Sequence, residues 1–525
     1  MGAPHHTESK RTARHRTKGT MSKEAPVTTP APPRLHRTLR FRDLVVYGLL
    51  FIAPMAPVGV FGVLDARSHG AVALVYLVAT AAMAFTALSY AQMLRVVPQA
   101  GSVFAYARAG LGEAPGFVAG WLAMLDYLLI PAVAYLFSGI AMNALVPSVD
   151  RWVWTAAAVV VTTTLNLMGV RVAAVAGLVV LVMEIVVLVV FVVAAAVVLA
   201  VDGPQRGWWS PLTGDHTFAF GALLGAVSVA VLSFLGFDAI ASFAEETERD
   251  GDHPGTERTG DRDAGTRDAG TRDAGTRDPW AGDEVAGQDD RRAVGNRVGR
   301  AVLFCLALAG VLFFVQTALA GLLEPDSSAH LADHPEAQGP AFYDTVDASV
   351  GRWLHTLVAA SKAIGAAFAA LAGQAAAGRL LFAMGRGRRL PGVLSRVDRE
   401  SGVPRLALLT SAVITLLAAV AAARRADGLD RLVSVVNVGA LSAFTLLHLS
   451  VLGWYAVRHR ESFAPLPHLV VPVLGAAITV TVIVEASRTA QWVALGWLVV
   501  GLLVLLVQGL TGHGPARRRQ RSLPS

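Results

Sequence analysis

One cysteine, four lysines and 16% charged residues in a chain of 525 exclude several kinds of protein before any motif is sought. Cys305 alone allows no intrachain disulfide, so an oxidising compartment offers the chain nothing, and this thiol reads as a small buried hydrophobe. The scarcity of lysine goes with the lack of any G-x-x-x-x-G-K-[ST] loop, so nothing suggests ATP-driven transport by this polypeptide. No apolar h-region lies within the first 40 residues, so a cleaved signal peptide is not expected, and Met21 is a second possible start. An enzyme needs a polar constellation, and none is found. His330 and His334 of HLADH lack a third ligand and read as a solvated loop rather than a zinc site. His448, inside an apolar run, reads as a bond to a neighbouring helix rather than a proton shuttle. No cofactor or metal is expected. Nucleic acid has no folded basic domain to bind, because the net charge of +7 resides in tails and loops.

What the chain has in abundance is apolar residues, 54% of the total, with a mean hydropathy of +0.52. Spanning a bilayer as helix takes about 20 apolar residues. Twelve such runs begin near Leu44, Gly70, Pro115, Trp152, Val172, Thr217, Arg297, Trp353, Arg405, Leu432, Leu469 and Gln491. The fold expected is all-α and membrane-integral: a disordered basic tail over 1–40, six spans over 41–248, a linker over 249–296, six spans over 297–511 and a basic tail over 512–525. Lys and Arg collect in cytoplasmic loops. Both basic termini and the loop GRGRRLPGVLSRVDRESGVPR are therefore expected inside, and the acidic connector LEPDSSAHLADHPEAQGPAFYDTVD outside, across a plasma membrane.

The linker holds three perfect Ala-Gly-Thr-Arg-Asp pentads from Ala264. Five residues match no structural period, and a segment this polar cannot bury enough surface to offset chain entropy, so it reads as a disordered polyampholyte.

Against this apolar background, Asp126, Glu184 and Asp238 fall inside spans. A charge at mid-bilayer costs about 2.5–3.5 kcal/mol on insertion scales, so each must face protein or water, and each is a candidate proton carrier. Two spans also carry helix breakers: Pro54, Pro57, Gly59 and Gly62 in the first, Gly236 in the sixth. Non-helical backbone at membrane depth is tolerated where it lines a cavity, and breaks five spans apart mark an inverted repeat.

Three stretches then resemble one family. FLGFDAIASFAEE in the sixth span, ALSYAQMLRVVPQAGSVFAYARAGLGEAPGFVAGW from Ala87 and RLLFAMGRGRRLPGVLSRVDRESGVPRLALL from Arg379 are similar to motifs of the amino acid/polyamine/organocation permeases. The resemblance runs from about Leu39 to Arg458, and WLAMLDYLLIP with the first-span AP-Met sequence looks most like the subgroup that includes putrescine importers. It implies two inverted five-helix repeats plus two further helices, with helices one and six unwound around a small amino acid or amine. Carried over by position, it places Ala56, Pro57, Val58, Gly59, Ser233, Phe234, Leu235, Gly236 and Asp238 at the substrate, and Ala244-Glu245-Glu246 at the cytoplasmic end of the sixth helix. Asp126 joins them as a carboxylate for a cationic amine.

The departures from the family pattern bear on the solute. Pro57-Val58-Gly59-Val60 replaces the G-S-G-[IV] of members that bind an α-amino acid, and Leu232 stands where arginine/agmatine exchangers have a gating Trp. The eighth-span run GAAFAALAGQAAAGR has almost no oxygen ligands for sodium, which favours proton coupling or exchange. A transporter-like receptor is the alternative from another class, and a neutral amino acid permease the alternative within this one.

Overall fold

The computed structural model describes Gly2 and residues 40–97, 102–168, 171–215, 219–246, 281–386, 390–396 and 404–510. The pentads, the basic tail after Gly2 up to Arg40, and the tail after Leu510 lie outside these residues. Within them every regular element is a helix. The first span consists of α1 (Phe41–Ile52) and α2 (Phe61–Ser68), joined by a 3-10 turn over Ala56–Gly59. There follow α3 (Val72–Val96), α4 (Ser102–Gly110), α5 (Glu113–Leu145), α6 (Arg151–Met168), α7 (Arg171–Val201) and the single turn α8 (Ser210–Thr213). α9 (Phe220–Ala230) tightens into a 3-10 turn over Val231–Phe234, breaks, and resumes as 3-10 helix over Phe237–Glu246. The second half holds α10 (Ala281–Leu323), α11 (Ser328–Asp333), α12 (Ala341–Ser349), α13 (Arg352–Arg386), α14 (Arg405–Ala423), α15 (Gly428–Val451), α16 (Val471–Glu485) and α17 (Arg488–Leu510).

Ten helices among the described residues are long and apolar enough to cross a membrane. Two more segments stand where the other expected runs begin. α6 carries Thr162, Thr163, Thr164 and Asn166 in its second half, which makes it less apolar, and Phe220–Phe234 is cut short by the break that follows. The polarity is inverted relative to a water-soluble bundle: on α7, Val186, Val189 and Val193 are 54–57% exposed while Glu184 is 3% exposed. Apolar side chains face outward and the carboxylate faces protein, as a lipid solvent dictates.

One expected boundary moves. α10 starts at Ala281, so residues 281–296, read from sequence as the end of a disordered linker, are helical.

Small residues set the closest packing. A Cβ on Gly295 would come within 2.5 Å of the Leu94 carbonyl oxygen, and one on Gly310 within 2.5 Å of Thr80, so glycine lets α10 lie directly on α3. Elsewhere buried polar groups join helices: Asn166 donates to the Leu371 carbonyl and to Gln374 Oε1, both at 3.0 Å, linking α6 to α13. His448 meets Ser89 Oγ at 2.8 Å through Nδ1 and Thr86 Oγ1 at 3.3 Å through Nε2, so it does bond α15 to α3. The last helix is held by a reciprocal pair. Trp121 Nε1 donates to the Trp497 carbonyl and Trp497 Nε1 to the Trp121 carbonyl, both at 2.7 Å, with the rings stacked at 4.9 Å.

Candidate functional site

The two expected breaks are present and touch. Ala53 takes φ 57° and ψ 108°, ending α1, and the chain runs through Pro54 and Met55 into the 3-10 turn. In the sixth span Gly236 has φ +109°, a left-handed value that favours glycine, and its Cβ position is 2.7 Å from the Phe51 carbonyl oxygen. Glycine is thus required twice over, by dihedral and by contact.

A broken helix frees carbonyls that must find donors inside the protein. Gln316 Nε2 on α10 donates to the Pro54 carbonyl at 3.0 Å, and Lys362 Nζ on α13 to the Met55 carbonyl at 3.0 Å. Before the second break, Asn437 Nδ2 on α15 donates to the Ser228 carbonyl at 2.6 Å and the Val229 carbonyl at 3.1 Å. Sequence reasoning singled out none of these three. For Lys362 the signal was available, because it is the only lysine beyond residue 23. Its ammonium also lies 5.3 Å from the Phe137 ring centroid and interacts electrostatically with Glu184 on α7. Glu184, which stands among valines, isoleucines and leucines in sequence, therefore has a polar companion, and a Cβ on Gly365 of α13 would collide with its carboxylate.

The other candidates divide by what their side chains do. Ser233 Oγ is 2.8 Å from the Tyr76 hydroxyl, and Phe234 packs on Tyr76 and Phe313, so both point into the α3–α10 core and leave only backbone at the break. Leu235 is buried beside them. In the first span the Val58 and Val60 N–H groups donate to the Met55 carbonyl at 3.2 Å and the Pro57 carbonyl at 3.1 Å. Ala56 is half-buried and Pro57 buried, and a Cβ on Gly59 would come within 2.6 Å of the Phe137 ring.

Asp126 and Asp238 are brought within electrostatic range of each other, and both remain half-buried. Asp238 is well provided for: it accepts from Tyr90 Oη at 3.3 Å and faces the backbone N–H groups that open the 3-10 helix after the break. Asp126 Oδ1 is buried and has no hydrogen-bond partner. The Tyr106 hydroxyl, within range of Asp238, is also buried without one.

Two further sets of contacts flank the breaks. Arg67 on α2 donates to Asp430 Oδ2 on α15 at 2.6 Å and to the Gly225 carbonyl on α9 at 3.3 Å. Tyr90, Phe237 and Phe444 meet pairwise with centroids 5.7–6.1 Å apart next to Asp238. The side chains of Ala244-Glu245-Glu246 lie outside the described ones.

Amino acid permease family models match residues 44–252 and 285–509. The chain belongs to the amino acid permease family. The permease is similar to the low-affinity putrescine importer PlaP of Escherichia coli K12, at 26% identity over 90% of this chain and 93% of the relative. It is similar too to the branched-chain amino acid permease BcaP of Bacillus subtilis, at 24% over 88% and 92%. A third relative is the vacuolar cationic amino acid transporter 2 of Arabidopsis thaliana, at 26% over 74% of the permease and 55% of the relative. Membership makes the permease a multi-pass membrane transporter and not an enzyme.

Proposed function

We propose that the permease moves an amine, with a diamine such as putrescine accepted at least as well as neutral amino acids, across the plasma membrane by alternating access. The observation that carries this reading is the unpartnered buried Oδ1 of Asp126 near Asp238. Two carboxylates in one site favour a cation between them, and an ammonium offers three donors and no acceptor. A substrate carboxylate is poorly served at the same place. Pro54 and Pro57 have no N–H, and the Val58 and Val60 donors are already used within the turn. The similarity to a putrescine importer agrees with this chemistry.

The architecture belonging to this reading is twelve spans, α6 and Phe220–Phe234 included, in two inverted five-helix repeats plus α16 and α17. Both termini are cytoplasmic, and α2 forms the outer half of the first helix. Coupling is by proton or by exchange. Lys362 places an ammonium on the broken first helix with Glu184 as its counter-charge, so a proton moving onto or off this pair changes what holds the Met55 carbonyl.

Competition against uptake into proteoliposomes tests the solute. Putrescine is expected to compete at least as well as leucine. Asp126→Asn should weaken putrescine selectively, by about tenfold or more, the scale of one lost charge-assisted hydrogen bond. Asp238→Asn, which keeps a helix-capping side chain, should abolish uptake at normal surface levels. Competition by neutral amino acids with no effect of diamines would remove the amine reading and leave the permease a neutral amino acid transporter.

A further inference from the structure

Beyond the substrate site, the outer end of α2 is tied into a buried polar cluster that the motifs do not touch. Asp65 on α2 is fully buried and receives Arg206, from the connector between α7 and α8, through two bonds of 2.7 and 3.0 Å. Arg206 also donates to the Asp326 carbonyl in the connector after α10. In that connector Glu324 is 2% exposed, accepts from the Asp326 N–H at 3.1 Å, and accepts from Thr345 Oγ1 on α12. Nearby, the Gln205 N–H of the α7–α8 connector donates to the Leu322 carbonyl at the end of α10 at 2.9 Å, and Ser328 Oγ at the start of α11 donates to Asp215, after α8, at 3.0 Å. One guanidinium is thus bonded to a buried carboxyl group on α2 and lies within electrostatic range of a second in the connector after α10.

We propose that Glu324 is a positioning residue for transport: acting through Arg206 on Asp65, its carboxyl governs how firmly α2 is held to the connectors covering the outer face. The proposal rests on the transport reading above, which makes α2 the outer half of the first helix. When Glu324 is neutral, Asp65 is the one buried anion beside Arg206, the Asp326 carboxylate being exposed, and α2 is held. An ionised Glu324 sets a second buried anion beside Asp65, and the hold weakens. The charged groups around Glu324 are Asp65 and Arg206, and Asp326 offers it a backbone N–H while its own carboxylate faces Arg206. Asp344, on the helix of Thr345, faces His355, Asp347 and Asp326 in turn.

Burial lifts the Glu324 carboxyl to about 7, against the hydrogen bonds from Thr345 and Asp326. A carboxyl raised in the closed arrangement favours that arrangement while protonated, so the hold is complete below the ordinary carboxylate range and is lost as pH rises through about 7. Since apparent affinity falls with the fraction of binding-competent protein, the outer KM should be higher on the acid side of this limb.

The test uses right-side-out vesicles containing the full chain, the same pH on both faces from about 5.5 to 8.5, and labelled putrescine, arginine and leucine as probes. Wild type is expected to show a KM limb near pH 7, with KM several-fold lower on the alkaline side. Glu324→Gln should hold KM at its acid value throughout, with Vmax little changed. Thr345→Val removes a bond that favours the ionised form, and should move the limb to higher pH. A wild-type profile without a limb, or a Glu324→Gln profile that superimposes on wild type, overturns the proposal. If Glu324→Gln fails to reach the membrane, Thr345→Val decides: an upward shift supports the proposal and an unmoved limb overturns it. If none of the three solutes enters at any pH, the transport reading fails first and the positioning role falls with it.

Discussion

Lys362 has three donors and no acceptor, and the contacts around it account for much of that capacity: the Met55 carbonyl, the Phe137 ring and the charge of Glu184. Removing one member of a buried charge pair is more damaging than removing both, because the remaining ion is left without compensation. Lys362→Gln keeps an N–H for Met55 but leaves Glu184 alone, so it is expected to lower the thermal midpoint and to reduce uptake by about tenfold or more. Combining it with Glu184→Gln should recover most of the midpoint and none of the uptake. A double variant that transports normally would show the pair to be structural only. The reach of sequence reasoning at this scale was uneven. Asp126 and Asp238 were legible because a carboxylate in an apolar run stands out, whereas Gln316 and Asn437 look like ordinary polar residues until the carbonyls they satisfy are located. Ser233 shows the opposite: its position in the motif indicated the site, while its hydroxyl is engaged with Tyr76.

At the scale of elements, the two breaks were readable because proline and glycine act locally, through a missing N–H and a permitted dihedral. Their contact was not readable, since nothing near Gly236 in sequence announces that the Phe51 carbonyl lies against it. Gly236→Ala would combine an unfavourable φ with a backbone collision, a strain of about 1–3 kcal/mol if the fold absorbs it. The expected outcome is a lowered thermal midpoint and near-complete loss of uptake. Gly496→Ala on α17, where a Cβ would meet nothing within 4 Å, should leave uptake unchanged. Equal behaviour of the two variants would count against a specific role for the break. The start of α10 at Ala281 escaped sequence reading for a different reason: a charged, glycine-containing stretch has no apolar period, and its helix is continuous with a span that does.

For the whole molecule, composition alone separated membrane from water, and the spacing of apolar runs ordered the chain. Which helix lies against which was beyond it, because in lipid every helix is apolar and the partners are chosen by small residues and isolated polar groups. The pentad segment sets the remaining whole-chain expectation. Deleting Gly255–Asp278 should leave membrane insertion and uptake at wild-type levels, read by surface labelling and labelled-solute uptake; loss of either would give the segment a function. The reciprocal indole bonds between Trp121 and Trp497 restrict how the bundle can move. Each ring is anchored on the other's backbone, so a slide of one helix along the other by a single residue, about 1.5 Å, strains both bonds together. Screw motion fails for the same reason, since rotation carries each ring off its carbonyl. Tilting α17 and α5 as one body keeps both bonds and shear costs both, so rocking of α5 is expected to carry α17 with it.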